Sequence, residues 1–460
     1  MNRNRLKNWF GCLVGVWILA MTGFGADSSR PNVILIMSDD TGYEVFGCYG
    51  SHQYKTPHID KLAETGMRFN HCYAQPLCTP SRVKLMTGKS NVRNYITFGI
   101  LDKSQKTIGH MMKDAGYATC IAGKWQLYSF RAQYGDKFLK TLDPTVNVRG
   151  TLPEEAGFDE HCLWQVDSNG PGSRFWQPII RINGVEKAFS GDDDYGPTIC
   201  TDYICEFIER NREKPFFVYY PMILTHGPFV PTPKSADRTL KDKQKNFEDM
   251  VAYMDTLVGR IVDKLDETGV RNNTLILFTG DNGSPGVKSE LNGTVVVGGK
   301  GSTRDAGTRV ALVANMPGTV AAGSVSDDLV DLSDMMPTIA DMTGAKLPDN
   351  SKIDGVSFAP QLKGEKGTPR EWIYCYYENG LIWRGKVVSR KTIFARNHRW
   401  KLYSNGRLFD IKNDVLEKEP VMGNDEIRNK LQKVIDSFPA DGEMMQRFQF
   451  NENGLLEYAD

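Results

Sequence analysis

The sequence has no excess of either charge. Its 56 lysines and arginines balance 56 aspartates and glutamates. A neutral chain has no global attraction to nucleic acid or to an anionic membrane, so any positive charge that matters is local. Low-complexity tracts and internal repeats are missing, which excludes a solenoid or an array. The nine cysteines sit at scattered spacings that match neither a disulfide scaffold nor a zinc site. Past the first 25 residues no apolar run is long enough to span a bilayer, so stable membrane insertion is not expected.

What is present begins with "MNRNRLKNWF", basic and without an acidic residue, followed by the apolar "GCLVGVWILAMTGFG". Small residues Gly23 and Gly25 close the run. This pattern predicts a signal peptide over 1–25 and an exported protein, periplasmic or secreted. A single membrane anchor is the alternative, and the run is short for one. Export permits disulfides. Cys12 leaves with the signal, and most of the other cysteines read as core, with at most one or two bridges.

Short apolar runs then alternate with helix-like segments: "NVILIM" (32–37), "YATCIA" (117–122), "FFVYYPMIL" (216–224), "TLILFT" (274–279) and "RVALVAN" (309–315). Runs this apolar suit strands covered on both faces. Helical periodicity is clearest over 244–268, where Phe247, Met250, Val251, Met254, Leu257, Val258, Ile261 and Leu265 recur three or four apart before Gly269. Residues 331–344 predict a second helix, with Ser333 as cap and Gly344 as stop. The expected class is α/β, a large mixed and mostly parallel sheet sandwiched by helices, over 28–365. Beyond the loop-like "QLKGEKGTPREW" (361–372), short strands, a hairpin turn at "SNG" and a helix near 425–437 predict a smaller α+β subdomain with an antiparallel sheet, 366–460.

Two of the buried runs end alike. "VILIMSDD" ends in Asp39 and Asp40, and "TLILFTGDNG" reaches Asp281 and Asn282. Ligands of open α/β sheets bind beyond the carboxyl ends of the strands. If these strands are neighbours, three carboxylates and an amide converge, and a cation is needed to relieve their repulsion. An oxygen-only set favours a hard ion, Ca²⁺ or Mg²⁺, over zinc. Either pair alone is also ordinary turn chemistry.

The stretch "QPLCTPSRVKLMTGKS" (75–90) poses a sharper question. Pro80 suits a first helical turn, Thr79 can cap it and Gly88 can end it. Cys78 would then lie just ahead of a helix N-terminus that favours an anion, with Arg82 adding a fixed charge. Three readings stand: a buried core cysteine, a thiol nucleophile activated by the helix end, or a precursor oxidised before use. A cysteine-phosphatase loop would want arginine where Lys84 stands.

"CTPSRVKLMTG" resembles the Cys-x-Pro-Ser-Arg signature of the formylglycine-dependent sulfatases, in the alkaline phosphatase superfamily. "PNVILIMSDDTGY", "TPHIDKLAETGMRF", "AGKWQL", "THGPF", "FTGDNG" and "GGKGSTRDAGTRV" resemble further blocks of that family, in its order, and "RWKLYSNGRLFDIKND" resembles its C-terminal subdomain. The likeness spans about residues 31 to 420. It implies an alkaline-phosphatase-like fold and hydrolysis of sulfate esters, with a sulfated small molecule or glycan as substrate. Cys78 would be converted to formylglycine by a maturation enzyme, and the hydrated aldehyde would attack sulfur.

By the same resemblance Asp39, Asp40, Asp281 and Asn282 match calcium ligands, with an oxygen on residue 78 completing the set. Arg82, Lys124 and Lys300 match groups that hold residue 78 and the sulfate oxygens. His226 matches a histidine at the sulfate or leaving oxygen; from the residues alone it reads equally as a packed loop histidine. Gln126 departs from the family, which has histidine there as the base that collapses the sulfated diol. Glutamine orients a hydroxyl but takes no proton. Lys89 stands where the family often has arginine. Trp164, Arg174 and Trp176, in 161–178, are candidates for a sugar site or simply members of a long connection. The alternatives are a phosphate or phosphonate ester hydrolase on the same scaffold, and a weakly active sulfoglycan-binding protein.

Overall fold

The computed structural model describes residues 30–128, 149–164, 166, 173–349, 351–378, 381–383, 386–388, 391–443, 448–450 and 456–458. The expected signal peptide lies outside them. An 11-stranded sheet forms the centre of the molecule. Its strands are β1 (Asn32–Ser38), β2 (Met67–Tyr73), β3 (Ala118–Lys124), β4 (Glu160–Trp164), β5 (Ile179–Ile182), β6 (Val185–Ala188), β7 (Phe216–Pro221) and β8 (Thr274–Gly280). A separate hairpin, β9 (Lys288–Leu291) and β10 (Thr294–Val297), precedes β11 (Arg309–Val310), β12 (Leu312–Asn315) and β13 (Ser324–Asp331). The order is β11-β2-β12-β8-β1-β7-β3-β4-β5-β6, with β13 against β2. Strands β8, β1, β7, β3 and β4 run parallel, and antiparallel pairs flank them on both sides.

Alternation along β1 explains the layers. Val33, Leu35 and Met37 face one core, with Val83, Leu85 and Met86 of a helix at 78–87 and with the helix Met335–Thr343. Ile34 and Ile36 face the other, under the helices Gly196–Asn211 and Lys243–Glu267. All of β1 and β8 is buried. Each large apolar side chain so covered contributes roughly 1.5–3 kcal/mol, so the position of these two strands is strongly fixed.

The C-terminal sheet is antiparallel: β14 (Ile373–Glu378), then β17 (Lys391–Arg396), β18 (Trp400–Tyr403) and β19 (Leu408–Asp410), with a small hairpin of β15 (Leu381–Trp383) and β16 (Lys386–Val388) between the first two. Leu431 and Val434 of the helix Asp425–Asp436 cover one face. The "SNG" turn joins β18 to β19, with Gly406 at φ 84°. Two local expectations are corrected. Asp331, not Ser333, caps the turn before the second helix, because its carboxylate accepts from the Ser333 N–H. The cysteine helix starts two residues earlier than expected, at Cys78 itself, with Leu77 rather than Thr79 in the cap position. The described cysteines are all free, and most are buried. Among the described residues no helix is long and apolar enough to cross a membrane.

Candidate active site

The parallel pairing of β1 with β8 sets Ser38 opposite Gly280. Asp39, Asp40, Asp281 and Asn282 therefore leave the carboxyl edge of the sheet side by side, as the two matching strand ends required. All four are at most 1% exposed. The Asp40 N–H donates to Asp281 Oδ1 at 3.0 Å, and Asn282 Nδ2 donates to Asp40 Oδ1 at 2.8 Å. Asp39 Oδ1 and Asn282 Oδ1 are buried and, among the described residues, have no hydrogen-bond partner. Orphaned buried oxygens are costly unless something unseen satisfies them. Ligand atoms of Asp39, Cys78 and Asp281 lie within 4.8 Å of one another, as do those of Asp39, Asp40 and His226. A crowded oxygen set with two unpaired members fits a hard divalent cation.

The cysteine stretch comes next to this edge on the helix Cys78–Thr87. Leu77 is extended, Cys78 opens the first turn, and Pro80 loses no hydrogen bond there. Thr79 does not cap: its hydroxyl accepts from the Gly99 N–H. Gly88, at φ 65°, ends the helix by donating to Lys84 C=O. Ser81 Oγ accepts from the Gln75 N–H and steadies the approach to residue 78. Cys78 is 1% exposed, and burial pushes its thiol up. Lys124 pulls the other way, while Asp39 and Asp281 add to the rise. Burial thus works against the activation that a thiol nucleophile would draw from a helix end.

Arg82 lies beneath, donating to Asp281 Oδ2 and to Lys124 C=O, both at 2.9 Å, with Asp39 at 3.7 Å. Lys124, at the end of β3, donates to Asp39 Oδ2 at 2.7 Å. Lys300 donates to Asp40 Oδ2 at 2.6 Å and stands 3.2 Å from His226 Nε2. Burial alone would raise the Asp39 carboxyl, but Lys124, His226, Arg82 and Lys300 outweigh it and hold it well below the usual range. Burial and the Asp39 charge push Asp281 up to about 7 against Arg82. Burial, then Lys124, pushes His226 down to about 4, so its ring is neutral near pH 7.

The structure brings one sugar-site candidate into this cluster. Arg174 Nη1 is 2.6 Å from His226 Nδ1, and its guanidinium lies 4.5 Å from the centre of the Trp164 ring. Trp176 is used otherwise: its indole donates to Pro231 C=O and its ring packs edge-on against Tyr195. Gln126, two residues after Lys124, has a φ of 55° and is 7% exposed, and among the described residues its Oε1 has no partner. Lys89 donates to Gln105 Oε1. Lys84 turns away from the site to Asp331, 2.8 Å away, and to Tyr374 C=O. Sequence reasoning missed the C-terminal sheet's part. Lys401 donates to Thr303 C=O and Tyr403 Oη meets Thr303 Oγ1 at 3.0 Å, bracing the loop of Lys300. Partners so far apart in sequence leave no local pattern.

Comparison with known proteins gives the following likenesses. The model of the family described as Sulfatase matches residues 31–345, and that described as N-sulphoglucosamine sulphohydrolase, C-terminal, matches 300–440. The chain is 30% identical over 450 residues to the steryl-sulfatase of Mus musculus, covering 80% of this chain and 71% of that protein. It is 30% identical over 392 residues to arylsulfatase A of Homo sapiens, covering 78% and 73%. Among solved structures, Ps i-CgsB in complex with k-i-k-neocarrahexaose superposes with a TM-score of 0.71 at 26% identity, over 90% of this chain and 94% of that one.

Proposed function

This chain belongs to the sulfatase family and is a sulfuric ester hydrolase, and from that premise we propose that it acts through a formylglycine made from Cys78, beside a bound calcium ion, on a sulfated carbohydrate. The observation that carries the reading is the pair of orphaned oxygens, Asp39 Oδ1 and Asn282 Oδ1, next to Asp40, Asp281 and residue 78. These five residues would hold the ion. Calcium supplies Lewis-acid polarisation of the oxygens it contacts.

The remaining roles belong to the chain itself. Arg82 aligns the Asp281 and Asp39 carboxylates from below. Lys124 and Lys300 are fixed donors for the charge that develops on the sulfate and on the leaving oxygen. His226, neutral and 3.2 Å from Lys300, orients the leaving oxygen. Gln126 offers an acceptor oxygen to a hydroxyl on residue 78 without taking its proton. Trp164, stacked under Arg174 beside this cluster, supports a sugar as the group carrying the sulfate. A formylglycine-generating enzyme is the implied partner, residues 1–25 are read as the export signal, and 28–365 and 366–460 as the catalytic and C-terminal units.

The test is the mass of the tryptic peptide Phe69–Arg82 from a host that matures sulfatases, with rates on matched aryl sulfate and aryl phosphate esters before and after chelation. An aldehyde at residue 78, preference for the sulfate ester and loss of rate on chelation are expected. An unmodified thiol, beside a control sulfatase modified in the same cells, rules the mechanism out and moves a sulfoglycan-binding role to the front. Preference for the phosphate ester would make the chain a phosphoesterase on this scaffold.

A further inference from the structure

We infer that the Tyr377 hydroxyl is a further substrate-facing group, donating a hydrogen bond to the anionic oxygen held between residue 78 and Lys300. The inference rests on the reading above, in which those two residues hold the sulfate.

Alternation along β14 separates its aromatic residues. Tyr374 and Tyr376 pack with Leu431 and Val434 of the C-terminal helix. Cys375 and Tyr377 point the other way, into a cluster with Phe394, Tyr403 and Phe409 that packs on Leu77. Leu77 is the residue immediately before Cys78. The register is fixed by Cys375, whose Sγ donates to Gln75 Oε1 at 3.1 Å. The loop of Lys300 closes the same space. The Gly301 N–H donates to Pro76 C=O at 2.9 Å, and Thr303 meets Tyr403 of the same cluster. Tyr377 therefore stands where the segments ending at residue 78 and beginning at residue 300 meet.

Tyr377 is 5% exposed, and among the described residues its oxygen has no hydrogen-bond partner. Buried phenols normally find one. Burial, then Cys375 and Cys78, raise the phenol's pKa, and Lys300 works against them. The phenol therefore stays protonated as a donor. A sulfate group, whose oxygens only accept, supplies the missing partner.

The experiment is Tyr377→Phe in the full, matured chain. The change keeps the ring and removes an oxygen that has no hydrogen-bond partner among the described residues. The expected result is a fall in kcat/KM for an aryl sulfate of about 10–100-fold, the scale of one lost oxyanion donor or somewhat below it, with an unchanged or higher unfolding temperature. Activity within about twofold of wild type would overturn the inference, since a lost donor costs far more. So would a fall in activity matched by a fall in unfolding temperature. Calorimetry with inorganic sulfate gives a readout without turnover: wild type binds, and Tyr377→Phe binds more weakly. Equal binding by both overturns the inference alone. Wild-type protein that neither hydrolyses the ester nor binds sulfate overturns the proposed site and this inference with it.

Discussion

Replacing Lys84 with methionine tests how the cysteine helix is anchored. The Lys84 ammonium and the Asp331 carboxylate are 2.8 Å apart, with side chains 2% and 4% exposed. Methionine fills much of the space and removes the charge. Asp331 is then left with the Ser333 N–H at 3.0 Å and Ser333 Oγ at 2.7 Å. Stranding one member of a buried pair costs about 3–5 kcal/mol. The surviving serine bonds place the loss near the lower end, about 3 kcal/mol, against a typical net stability of about 5–15 kcal/mol.

Urea unfolding at pH 7, followed by tryptophan fluorescence, measures it. Burial alone would raise the Asp331 carboxyl, but Lys84 and Arg370 outweigh it and hold the group below its ordinary 3.8. A carboxyl lowered in the folded state stabilises above that ordinary value, and the benefit fades as pH falls through the folded one. The gap between wild type and Lys84→Met is therefore expected to narrow in acid. The double variant Lys84→Met/Asp331→Asn, which leaves no charge stranded, recovers most of the loss. A Lys84→Met protein within about 0.5 kcal/mol of wild type at pH 7 would refute the argument, because surface-like effects are that small.

Three other outcomes are expected. Gly123→Ala places a Cβ 2.0 Å from Pro221 C=O at a φ of +122°, so it should shift β3 against β7, displace Lys124 and cost more than about 2 kcal/mol in urea, with activity falling alongside. Asn282→Ala removes an orphaned amide oxygen and should weaken calcium binding at least about 10-fold by calorimetry, with the fold retained. Arg174→Ala should raise KM for a sulfated glycan about 10-fold and change an aryl sulfate little; an equal loss of kcat on both would place Arg174 on the sulfate instead.

The α/β class was legible because β1, β3, β7 and β8 are buried on both faces and read as unbroken apolar runs. The acidic strand ends were legible as pairs. Their adjacency was not, because the neighbour of a parallel strand is set by crossover connections rather than by local pattern. β2 was missed for a different reason: it is half polar, "MRFNHCY", with partly exposed positions alternating among buried ones. Lys84 and Arg82 look alike in sequence, two charges on one short helix, yet one reaches Asp331 at the end of β13 and the Tyr374 C=O of β14, and the other braces the site carboxylates. Tyr377 carried no signal at all, since a tyrosine in a strand is unremarkable until its hydroxyl is found without a partner among the described residues.

The burial of residue 78 has a consequence in time. In the finished fold Cys78 opens a helix and is 1% exposed, beneath a sheet edge assembled from residues between 39 and 300. An enzyme that reads residues 78 to 82 must take them as an open segment. On the proposed mechanism, then, modification and folding compete for the same stretch of chain, and the first to finish decides the fate of the molecule. A copy that folds early is trapped as an inert thiol form, well folded and beyond repair, so its specific activity records the order of events during its synthesis.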